Sequence, residues 1–109
     1  MKKEYALTFE DVSALGPALS LIPYFPAESE AQTELNNSLA LSVLNKLKRL
    51  RTDFSPNEYR IIYASVSLAK GYLSGHIHLE VDSELRAELS KHFFTYNRLE
   101  PLLRPPQYN

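Results

Sequence analysis

The sequence predicts a mainly α-helical protein, a compact bundle of about four helices with one short extended segment or strand near residues 76–81. Three observations predict it. Residues 55–75 carry the signals of a capped helix and are apolar on two sides. Residues 29–51 repeat the helical period and are joined to that helix by a short connector. Strict alternation of apolar and polar residues is confined to 76–82 and, less distinctly, to the N-terminus.

Residues 3–10 admit two readings. Tyr5, Leu7 and Phe9 alternate with Ala6, Thr8 and Glu10 as in a strand, while Thr8 followed by Asp11 has the form of a capped helix start. The helix, from Phe9 to Leu15, is the favoured reading, with Gly16-Pro17 interrupting it and Ala18 to Ile22 resuming for a turn. Residues 23–28 hold two prolines and read as a loop. Tyr24 and Phe25 within it are expected to fold onto the core, since large apolar groups gain about 1.5–3 kcal/mol each on burial. Exposed, the pair would mark a binding edge.

The next helix begins at Ser29, with Gln32 placed to complete a capping box, and runs to about Arg51. Leu35, Leu39, Ala40, Val43, Leu47 and Leu50 line its wide face, with Leu41 and Leu44 at the margins. The connector Thr52-Asp53-Phe54 implies a hairpin with the helix that follows.

That third helix is marked at its start by Ser55 as cap, Pro56 at the first helical position and Glu58 reaching back to the cap, and at its end by Gly75. Ile62, Val66, Ala69 and Leu73 form one stripe, and Ile61, Ala64, Leu68 and Tyr72 a second on the other side. Such a helix must be covered on two sides, by helices of its own chain or by a second copy.

In residues 76–82, Ile77, Leu79 and Val81 alternate with His76, His78, Glu80 and Asp82, the pattern of a half-buried strand or extended connector. A last helix is expected from Asp82 or Ser83, with Leu85, Leu89, Phe93, Tyr96 and Leu99 on one face, Ala87 and Phe94 opposite, and Pro101 as its end. The domain is accordingly read as 1–100, and 101–109 as an extended Pro-rich tail.

Composition limits the functional classes. The absence of cysteine excludes disulfides, thiolate metal sites and a thiol nucleophile. Net charge is −1, so no global attraction to nucleic acid or anionic membrane is expected. No signal peptide and no apolar run of membrane-spanning length is apparent, and the expected setting is the cytoplasm.

Few residues suggest chemistry. His76, His78 and Glu80 would share a face on a strand, and two imidazoles with a carboxylate could bind a metal, but no further ligand is fixed by the sequence. His92 reads as a hydrogen-bonded residue at the core edge. Lys46, Lys48, Arg49 and Arg51 could bind phosphate or nucleic acid, yet they scatter around their helix and suit its C-terminal dipole, so nucleic-acid binding is not the favoured reading. Acid pairs such as Glu10-Asp11 and Glu84 with Glu88 read as solvated helix positions. No catalytic motif and no cofactor motif is present, so the expectation is a non-enzymatic interaction or regulatory module acting as a homodimer. The surplus apolar positions Ile61, Leu68, Tyr72 and Phe94 are its candidate interface.

Overall fold

Short polar side chains at four helix starts determine where the chain turns into the bundle. In the computed structural model, which describes residues 7–104, Thr8, Ser29, Ser55 and Asp82 each accept a hydrogen bond from the first turn of the helix they precede. Thr8 with Asp11 and Ser55 with Glu58 form reciprocal capping boxes. Ser29 makes only the forward half, and the Gln32 Nε2 donates along the helix to Asn36 Oδ1.

The elements are α1 (Phe9–Leu19), a 3-10 turn (Ile22–Tyr24), α2 (Glu30–Lys48), α3 (Pro56–Leu73), α4 (Ser83–Lys91) and α5 (Phe93–Leu103). There is no strand among the described residues. Residues 3–6 of the alternative N-terminal strand lie outside the described residues, while the capped helix from Phe9 is present.

The last predicted helix is two. His92, at φ −110° and ψ 16°, closes α4 and opens α5. Prolines also stop less than expected. Pro17 lies inside α1 and Pro101 inside α5, each near the C-terminal end. A proline there forfeits one backbone hydrogen bond, and continuing the helix buries Ala18 and Leu19 after Pro17 and Leu103 after Pro101. Residues 101–103 of the expected tail are thus the last turn of α5, and its residues 105–109 lie outside the described residues.

α3 is the central element. It packs against α1, α2, α4 and α5, and its buried residues Ile61, Ile62, Val66 and Ala69 join Ala14, Leu15, Leu19, Val43, Leu89, Tyr96 and Leu99 in one core. Both sides of α3 are thus covered within one chain. Tyr96 is fully buried, donates from its hydroxyl to the Ala14 carbonyl at 2.8 Å, and has its pKa pushed far up by burial. Residues 76–81 form an unpaired extended connector. Ile77, Leu79 and Val81 are half-buried and the residues between them exposed, so the alternation is real but no ladder is made. Gly71, near the end of α3, leaves the notch that Ile77 fills. A Cβ at Gly71 would lie 2.6 Å from Ile77 Cδ1.

α2 and α3 end with the same backbone closure. At α3, Gly75 N–H donates to Tyr72 and His76 N–H to Gly71, with Gly75 at φ 82°. At α2, Leu50 N–H donates to Leu47 and Arg51 N–H to Lys46, with Leu50 at φ 57°. Leucine in that left-handed region costs roughly 1–2 kcal/mol. Leu50, expected on the apolar face of α2, is instead beyond the helix and 84% exposed.

Candidate functional site

The buried acids are the first groups a chemical site would use, and each is engaged by its own chain. Glu58 receives Lys46 Nζ at 2.6 Å, Ser42 Oγ at 2.8 Å and the Ser55 N–H at 2.8 Å. Burial pushes its pKa up, but these donors outweigh burial and hold it at about 2. Glu100 accepts from Arg104 at 2.7 Å and Tyr63 at 3.3 Å, with Lys70 at 3.7 Å. The Arg104 hydrogen bond leads in lowering its pKa, against burial. Asp11 is 2% exposed, pairs with Arg98 and closes the α1 capping box. Reading Asp11 as solvated was therefore incorrect, whereas Glu10, Glu84 and Glu88 are exposed as expected. These three clusters staple α2 to α3, α3 to α5 and α1 to α5.

His76, His78 and Glu80 are all exposed along the connector, and no group of three or more metal-ligating side chains comes together among the described residues. His92 is half-buried, edge-on to Tyr96 at 6.3 Å, and its Nδ1 has no hydrogen-bond partner among the described residues, contrary to expectation.

Of the four clustered bases, Lys46 is bound to Glu58 and the Asp53 carbonyl, and Arg51 makes two hydrogen bonds to Asp53. Lys48 and Arg49 are exposed and make no ion pair among the described residues.

The four interface candidates separate. Ile61 is 6% exposed and belongs to the core, so it offers nothing to a partner in this fold. Leu68 and Tyr72 are half-buried and pack against the core. Phe94 is 85% exposed. Its neighbour Phe93 lies 5.9 Å away, centroid to centroid. Phe9 at the start of α1 is 87% exposed. Thr95 Oγ1 donates to Glu10 at 3.1 Å, and this contact brings together the two helix starts on which Phe9 and Phe94 stand. Phe9 was missed as a surface candidate because the first residue of a short helix carries no periodic sign of which way it faces.

Tyr24 and Phe25 did not fold onto the core, and Phe25 is 51% exposed. Tyr24 borders a shallow open cleft of about 430 Å³ with Ser20, Asp82, Glu84, Leu85 and Glu88, and its hydroxyl reaches Asp82 at 3.4 Å. The 3-10 turn at Ile22 places Leu21 and Ile22 in the core, and that satisfies the burial which the loop aromatics had been expected to supply.

No helix among the described residues is long and apolar enough to cross a membrane. Set against known proteins, the chain matches no family model, no curated protein and no solved structure.

Proposed function

We propose that the protein is a non-enzymatic protein–protein interaction module that works as a homodimer in the cytoplasm. The observation that carries this reading is the pair of almost fully exposed phenylalanines, Phe9 and Phe94, on the joined starts of α1 and α5. Large aromatic side chains held on helices are rigid contact surface, and their removal from water favours association. The buried carboxylates support the non-enzymatic part, because each is occupied by a cation or hydroxyl that holds two helices together.

Size-exclusion chromatography with light scattering, or native mass spectrometry, tests the proposal. The expected result is a dimer for the parent protein and a monomer for Phe94→Glu and Phe9→Glu, with helical circular dichroism and melting unchanged. A parent protein that stays monomeric at tens of micromolar overturns it, as does a dimer that both variants retain.

A further inference from the structure

We infer that the turn after α2 is a second interaction surface, with Leu50 as its apolar contact and Lys48 and Arg49 beside it, and that it fits an acidic protein segment carrying an apolar side chain. Two observations carry this. Leu50 occupies the left-handed closing position of α2 at φ 57°, where α3 uses Gly75 at φ 82° for the same closure. A strained conformation held by a bulky residue where glycine serves elsewhere in the molecule marks a position that folding alone does not explain. The leucine is also 84% exposed, so the strain is not offset by burial within the chain.

Charge selects the partner. Residues 46–58 carry Lys46, Lys48, Arg49 and Arg51 against Asp53 and Glu58, and Lys48 and Arg49 are exposed and unpaired among the described residues. Carboxylates on a partner would complement them while its apolar side chain packs on Leu50. A nucleic acid is the poorer fit, because Leu50 offers nothing to phosphate and two free cations give little counterion release. An anionic bilayer is the poorer fit too, since one leucine and two free cations fall short of a polybasic segment joined to an anchor. This surface uses none of the residues of the Phe9 and Phe94 edge and stands whether or not that edge dimerises.

The test uses amide-resolved NMR on the full chain, titrated with a blocked synthetic peptide, Asp-Glu-Leu-Leu-Glu-Asp, and in parallel with a short DNA duplex and with phosphatidylserine vesicles. The expected result is peptide-induced shifts centred on residues 48–51. Affinity should fall about tenfold in Leu50→Gly. It should fall about as much in the Lys48→Glu, Arg49→Glu double variant. Leu50→Gly relieves backbone strain, so its loss of binding is not a loss of fold. Any of three results overturns the inference: no peptide shifts in this turn, undiminished binding by Leu50→Gly, or shifts produced by the duplex or vesicles but not by the peptide.

Discussion

The C-termini of α2 and α3 make the same pair of closing hydrogen bonds with different residues in the left-handed position, Leu50 in one and Gly75 in the other. Beyond Gly75 the chain turns at once into the core, where Ile77 enters the notch at Gly71. Beyond Leu50 it stays outside, and the turn is fixed by side chains instead. Lys46 holds the Asp53 carbonyl and Glu58, and Arg51 holds Asp53. One closure therefore relies on a residue that accepts the conformation without strain. The other relies on tertiary contacts that hold a residue which does not.

The largest expected effect comes from removing those contacts. Glu58→Gln should lower stability at neutral pH by about 2 kcal/mol, because Lys46 loses its buried carboxylate partner. Urea unfolding measures this. The pH dependence follows from the same carboxylate. Its folded pKa of about 2 lies below the usual 4.5, so on acidification the unfolded chain takes up the proton first. The stabilisation is complete above about pH 5 and is lost as pH falls toward 2, and Glu58→Gln should show a flatter acid limb across that window. A limb as steep as the parent's would assign acid sensitivity to Glu100 instead.

Gly75→Leu is expected to cost about 1–2 kcal/mol, since it places at the α3 end the strain that α2 already carries. Leu50→Gly should do the reverse and raise stability by about 1 kcal/mol. In thermal melts that corresponds to about 5 °C. Leu50→Asn should give roughly half the gain, because asparagine tolerates the left-handed region better than leucine but less well than glycine. If Gly75→Leu and Leu50→Gly both prove neutral, the two ends are equivalent and the strain at Leu50 is absorbed locally.

Local signals were the legible part of the fold. The capping pairs Thr8 with Asp11 and Ser55 with Glu58, and Gly75 as a stop, are short-range chemistry and were readable from the residues. The centrality of α3 was readable too, from its two apolar stripes. The break at His92 was not, because Leu85, Leu89, Tyr96, Leu99 and Leu103 keep a helical period straight through it. Nor was the burial of Asp11 and Glu100, since Arg98 and Lys70 are brought to them by tertiary packing, and Arg104, four residues after Glu100, stood beyond the helix end expected at Pro101. At the candidate surfaces, Phe94 was legible as the residue opposite its helix's apolar face. Leu50 was not, because its period matched the α2 face and only the early end of that helix at Lys48 turned it outward.

The contacts between α1 and α5 bear on the order in which the molecule is assembled. Glu10 with Thr95, Ala14 with Tyr96 and Asp11 with Arg98 join positions 82 to 87 residues apart. The α2–α3 hairpin, by contrast, is closed by Lys46 and Glu58, which are 12 apart. During synthesis the hairpin has its partners as soon as it emerges, while α1 leaves the ribosome before the other described helices and must wait for 82 further residues before Tyr96 can seat on Ala14. Until then α1 can pack on α2, α3 and α4 only, and a nascent chain halted before α5 leaves the α5 side of α1 uncovered, an exposed surface of the kind that chaperones retain.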